Sequence, residues 1–164
     1  MSTFGVMKKV FVLNGPNLNM LGTREPEIYG NATLPEILGM LRRYARSRGV
    51  RVKSRQSNHE GRLIDIIQGL KKRRFKGLIV NPGALTHYSY ALRDAIKASG
   101  VRTVEVHLSD IARREEFRRV SVTREVCVAQ IKGLGPDGYL RALDALMEEQ
   151  PDSCGGPSPL RRSR

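Results

Sequence analysis

Five short apolar runs alternate with amphipathic stretches along the chain, and this alternation constrains the fold more than any other feature. Lys9 to Leu13 (K-V-F-V-L), Val50 to Arg55, Leu78 to Val80, Thr103 to Val106 and a run within Glu125 to Ile131 read as strands. Between and after them lie helical stripes with apolar residues three and four apart. They are Ile37, Leu38, Leu41, Tyr44 and Ala45; Leu63, Ile64, Ile67 and Leu70; Ala91, Leu92, Ala95 and Ile96, stopped by Gly100; and Leu140, Leu143, Leu146 and Met147. Parallel strands need crossover connections, so strand and helix alternating five times predicts an α/β domain with a five-stranded parallel sheet covered on both faces. Thr33-Leu34-Pro35-Glu36 predicts the start of the first helix, with Thr33 as N-cap and Glu36 completing a capping box. Asp137 is expected to cap the last helix.

The 164 residues suit one domain, taken as 1–150. The tail 151–164, P-D-S-C-G-G-P-S-P-L-R-R-S-R, is basic and has the composition of a disordered segment. No apolar run approaches the roughly 20 residues of a membrane span, and M-S-T-F-G-V-M-K-K lacks the apolar core of a signal peptide. A soluble cytoplasmic protein is expected. Cys127, in the apolar run V-C-V-A, reads as a buried inert thiol, and Cys154, in the tail, as a free one in a reducing compartment. His59, His87 and His107 have no short ligand spacing, so no metal site is expected.

A formal charge of +13 can signal a nucleic-acid partner. Its distribution favours a solvated basic surface, because Arg42 to Lys53 and Lys71 to Arg74 fall at and after helix ends, where cations complement the macrodipole. No aromatic interleaving accompanies them, and no nucleic-acid partner is expected.

The chemistry is concentrated just past the strand ends. N-G-P-N (Asn14 to Asn17) comes after the first strand, S-N-H-E-G (Ser57 to Gly61) after the second, N-P-G-A-L-T-H (Asn81 to His87) after the third and H-L-S-D (His107 to Asp110) after the fourth. Singly, each is turn chemistry; Ser57 or Asn58 suits a helix cap, and His59 a surface position or a capping partner. In an open parallel sheet, however, these ends emerge on one edge, where ligands bind at the reversal of strand order. There they meet a long polar loop running to Gly30, which carries Arg24 and Tyr29 and reads as a lid or binding loop. Imidazoles, amides and Ser109 at one edge suit binding a small polar anion and moving a proton. No G-x-G-x-x-G or P-loop comes after the first strand, so no nucleotide cofactor is indicated. A catalytically silent binding or assembly protein and a basic nucleic-acid module remain as other classes.

V-L-N-G-P-N-L-N-M-L-G-T-R-E-P-E-I-Y-G, Q-S-N-H-E-G, N-P-G-A-L-T-H-Y-S-Y-A-L-R-D-A, E-V-H-L-S-D with R-R-E-E-F-R-R, and G-L-G-P-D-G-Y together resemble the type II 3-dehydroquinate dehydratases, from about Val10 to Leu146. The resemblance implies a flavodoxin-like three-layer sandwich, a dodecamer of trimers, and dehydration of 3-dehydroquinate to 3-dehydroshikimate in the shikimate pathway without metal or cofactor. It makes Tyr29 the base that takes a proton from the carbon beside the ketone. Arg24 becomes its lid neighbour, whose charge would favour the phenolate.

By the same resemblance Asn17 holds a water against the developing enolate, and His107 protonates the departing hydroxyl with Glu105 orienting its ring. Leu108 and Ser109 take the substrate carboxylate; Asn81, His87 and Arg118 contact its hydroxyls; Arg114 is a second loop arginine; and Asp94 reaches the neighbouring subunit's site. The sequence departs from the family pattern in three places. Asp110 replaces Asn and is expected to add negative charge beside the carboxylate pocket. Tyr88 and Tyr90 replace smaller residues, and Val120 stands where a histidine is frequent, with loss of a supporting hydrogen bond expected.

Overall fold

The computed structural model describes residues 9–23, 26–113 and 115–148. Its strands are β1 (Lys9–Asn14), β2 (Arg51–Gln56), β3 (Gly77–Asn81), β4 (Arg102–His107) and β5 (Ala129–Lys132). Its α-helices are α1 (Pro26–Tyr29), α2 (Leu34–Ser47), α3 (Glu60–Gln68), α4 (Tyr90–Ser99) and α5 (Asp137–Met147). All strand pairs are parallel, in the order β2-β1-β3-β4-β5. This is the flavodoxin-like order, whose reversal falls between β1 and β3.

The sheet separates two apolar layers. On one face Val10, Val12, Ile79, Val104 and Val106 pack with Leu41 of α2 and Leu143 of α5. On the other, Phe11, Leu13, Leu78 and Val80 pack with Leu63 and Ile67 of α3 and Leu92 and Ile96 of α4. Central strands covered on both sides read as unbroken apolar runs, and β3 is buried along its whole length. Edge strand β2 alternates half-buried residues with exposed Arg51, Lys53 and Arg55, which explains its weaker signal. Charged side chains on such an edge discourage pairing with another chain.

The Thr33 capping box forms as expected: its backbone N–H donates to Glu36 Oε2 at 2.8 Å, and Glu36 N donates back to Thr33 Oγ1 at 3.4 Å. The basic turn after α3 also behaves as expected. Arg73 donates to the carbonyls of Ile66 (3.0 Å) and Gly69 (3.1 Å), placing its cation at the negative end of the helix.

Three expectations need correction. Asp137 does not cap α5: Pro136 is the N-cap residue, and Asp137 is the first helical residue, where its charge faces the positive end of the helix. Neither Ser57 nor Asn58 is the cap of α3; His59 holds that position without a side-chain cap, while Ser57 Oγ accepts from His59 N at 3.0 Å. The strict alternation also fails between β4 and β5, where the crossover is built of three short 3-10 turns at 111–113, 116–118 and 124–126. The tail 151–164, with Cys154, lies outside the described residues. Among the described residues no helix is long and apolar enough to cross a membrane.

Candidate active site

The ends of β1 and β3 lie side by side, Asn14 opposite Asn81. Their turns interlock: Gly15 N donates to Asn81 O at 2.7 Å, and a Cβ on Gly15 would lie 2.4 Å from Pro82 O. Gly83, at φ +60, would bring a Cβ to 3.0 Å from Pro16 O. Only residues without side chains permit this approach of backbone to backbone. From beneath, the buried Tyr139 of α5 donates to Asn14 Oδ1 at 2.6 Å and accepts from Asn81 Nδ2 at 3.1 Å. Burial pushes the Tyr139 phenol up, outweighing the Asn81 bond, so it stays a neutral donor.

Above this floor lies a cavity of about 170 Å³. Seven of the residues singled out from the sequence line it: Asn17, Asn81, His87, His107, Leu108, Ser109 and Arg118. Asn17 is held left-handed at φ 67, with its N–H donating to Asn58 Oδ1 at 2.9 Å. Asn58 is in turn fixed by Gln56 Nε2 at 2.9 Å, and Gln56 also reaches Gly15 O at 3.2 Å. The Q-S-N segment therefore buttresses the N-G-P-N turn. Asn81 lines the wall, but its amide is engaged with Tyr139 and Gly83 N (3.2 Å).

His107, at the end of β4, bonds through Nε2 to Glu105 Oε1 at 2.5 Å, the pairing expected from the sequence. Glu105 has no exposed surface. Burial pushes its carboxyl up, but the bond to His107 and the imidazolium charge, joined by bonds from Thr123 and Gln130, outweigh it and hold the group at about 2. An ionised carboxylate only accepts, so His107 Nε2 carries a proton and Nδ1 is left to exchange one with a bound molecule. His87 Nδ1 meets the carbonyl of Val120 at 2.7 Å and therefore donates to it. Val120 supports His87 through its backbone carbonyl, a contact that does not depend on the side chain at this position. Arg118 is half-buried, places a cation at the wall and pairs with Glu115 at 3.3 Å.

Asp94 lies elsewhere, exposed on α4 and paired with Arg93 at 3.1 Å. Asp110 does not line the cavity, and the negative charge expected beside the carboxylate pocket is flanked by Lys132 (3.6 Å) and Arg113 (3.7 Å). Arg24 and Arg114 lie outside the described residues, and Tyr29 is described in its backbone alone, as the last residue of α1. Pro16, Gly83 and Ala84 line the cavity as members of the N-G-P-N and N-P-G-A-L-T-H turns, whereas sequence reading gave no site role to the apolar Leu18, Leu21 and Ile111. The three-residue spacing of Leu18 and Leu21, around the 3-10 turn 18–20, was the available signal. Among the described residues no group of His, Cys, Asp or Glu is arranged to hold a metal ion.

Residues 8–147 match the family model described as dehydroquinase class II. A 3-dehydroquinate dehydratase from Thermotoga maritima is 54% identical over 141 residues, covering 86% of this chain and 96% of the relative. One from Bacillus cereus is 51% identical over 143 residues, covering 87% and 97%. The crystal structure of type II dehydroquinase from Butyrivibrio crossotus superposes with a TM-score of 0.85 at 48% identity, covering 88% of this chain and all of that one. With sequence, fold and strand-end motifs agreeing over almost the whole described length, the chain belongs to the class II dehydroquinase family.

Proposed function

We propose that this chain dehydrates 3-dehydroquinate to 3-dehydroshikimate in the shikimate pathway, by anti elimination through an enolate. As a class II dehydroquinase it is a carbon–oxygen lyase. The observation that carries the mechanistic reading is the Glu105–His107 pair opening on a cavity that also holds Asn17, Ser109 and Arg118. An anion of this size needs a cation and donors at one end and a proton source at the other, and these residues are of those kinds.

In this reading Tyr29, with its phenolate favoured by Arg24, takes the proton beside the ketone. Charge developing on the carbonyl oxygen meets a water held by Asn17. His107 then gives a proton from Nδ1 to the departing hydroxyl, and Glu105 stabilises the imidazolium until that transfer. Leu108 N–H and Ser109 take the substrate carboxylate, while Asn81, His87, Arg114 and Arg118 bear on its hydroxyls. No proton or electron in these steps calls for a metal or a cofactor. A cytoplasmic location is part of the same proposal.

We further propose the family's dodecamer of trimers, with Asp94 completing the site of a neighbouring subunit. Asp94 is 71% exposed in its side chain, and Tyr88 and Tyr90 beside it are 63% and 65% exposed. Such exposed aromatics next to a charged group suit an interface.

The test is the ultraviolet absorbance of the enone product with purified protein and 3-dehydroquinate. Turnover well above background is expected, and none in a folded preparation would end the proposal. Tyr29→Phe should lose at least about a thousandfold in kcat while still binding substrate, since a base lost from the reacting centre affects the transition state rather than the ground state. A variant as active as the parent would remove Tyr29 from that role.

A further inference from the structure

Glu105 is surrounded by more donors than a histidine-orienting carboxylate needs. Its Oε1 accepts from His107 Nε2 (2.5 Å), Thr86 Oγ1 (2.9 Å), Ser121 Oγ (2.9 Å) and Gln130 Nε2 (2.9 Å). Its Oε2 accepts from Thr123 Oγ1 (2.6 Å) and Ser121 Oγ (3.1 Å). The three hydroxyls also touch one another, Thr86 lying 2.8 Å from both Ser121 and Thr123. They come from separate segments: Thr86 from the turn after β3, Ser121 and Thr123 from the non-helical crossover after β4. Ser121 Oγ is further held by Arg124 N at 3.0 Å. Thr86 and Thr123 have no exposed surface, so neither hydroxyl can satisfy itself with water.

We propose that Thr123, together with Thr86 and Ser121, is a positioning residue for the acid step: this hydroxyl cradle draws negative charge off Glu105 and so limits how tightly His107 holds its proton. Each donor to a carboxylate makes it a weaker base. A bare buried carboxylate at 2.5 Å would stabilise the imidazolium strongly and leave a poor acid; three further donors, Thr123 on the other oxygen and Thr86 and Ser121 on the one that His107 shares, weaken that hold. The same three hydroxyls, fixed by the turn after β3 and the crossover, also set the orientation of the carboxylate and hence of the ring. Other charged or titratable groups packed around Glu105 are few. Cys127, ahead of β5, is pushed up to about 12 by burial and by the Glu105 charge, and stays neutral. Arg124 donates to Cys127 O at 3.3 Å. Arg93 of α4 is paired with Glu125 at 3.2 Å, and Arg118 and His87 lie on the cavity side. Gln130 of β5 is neutral.

The role in catalysis rests on His107 acting as the acid, but the cradle itself can be read without turnover. The chain has three histidines, so the His107 imidazole can be followed by NMR titration of the full-length protein. In Thr123→Val, nearly the same in shape but lacking the hydroxyl, the His107 titration is expected to move upward by about half a unit, a roughly threefold tighter hold on the proton. Thr123→Ser, which restores the donor, should titrate with the parent. If the enzyme is active, the alkaline limb of kcat/KM should move with the NMR value in Val and return in Ser. Should Thr123→Val not fold, Ser121→Ala carries the same upward shift. An unmoved titration in a folded variant, or a Ser variant displaced as far as Val, overturns the proposal. So does a His107 that stays in one protonation state from about pH 5 to 10 in parent and variants alike. Loss of dehydration with the expected NMR shift would instead leave the cradle standing and count against the proposed activity.

Discussion

Glu105 loses its solvent and gains six hydrogen-bond contacts on folding, and its carboxyl falls from an ordinary 4.5 to about 2. Between those values the unfolded chain binds more protons than the folded one, so stability rises with pH through that window. The contribution is complete above about pH 4.5 and is lost as the pH falls toward about 2. Glu105→Gln is therefore expected to cost on the order of 3 kcal/mol near neutrality, where His107 and the buried hydroxyls lose the ionised carboxylate they donate to, and progressively less near about pH 3. Urea midpoints at the two pH values measure this, and an equal gap at both would remove Glu105 from the acid response. At this scale the sequence was readable for Glu105 and His107, because two residues apart on one strand means one face. It was unreadable for Tyr139, whose phenol bonds residues 125 and 58 positions away. Nothing in G-P-D-G-Y says which strand ends a buried tyrosine will find.

Secondary elements were most legible where one residue commits the chain. Thr33 and Glu36 satisfy each other's donors and acceptors at the start of α2, so Thr33→Ala is expected to lower stability by about 1 kcal/mol in thermal or urea unfolding, with no change in the cavity. A loss below about a third of that would mean that tertiary packing alone sets the start of the helix. The segment from Leu108 to Val128 was the least legible. It has no apolar period because its work is delivery: Ser109 and Arg118 reach the cavity, Val120 O holds His87, and Ser121 and Thr123 hold Glu105. A helix would turn about half of those groups away from the site, since its faces repeat every 3.6 residues or so. The polar stretch after β1 was likewise read as one long loop, whereas it holds a 3-10 turn at 18–20 and a single helical turn, α1, at 26–29. Short turns of this kind leave too few residues for a period to show.

At the scale of the whole molecule, the parallel sheet and its covered faces came from alternation, while the strand order required a resemblance, since periodicity is silent about which neighbour a strand takes. Assembly belongs to this scale as well. Gel filtration with light scattering should give a species of about twelve times the 18.4 kDa of one chain, and a monomer would remove both the oligomer and the proposed role of Asp94 across subunits. One feature of the fold also bears on how such a site can change over evolution or by engineering. Where Gly15 meets Pro82 and Gly83 meets Pro16, the cavity rests on main chain against main chain. Substitution can add atoms there only by prying the two strand ends apart. Variation in specificity is thereby left to lining side chains such as Leu21, Ile111 and Ser109, and a library directed at Gly15 and Gly83 is expected to return mostly chains that do not fold.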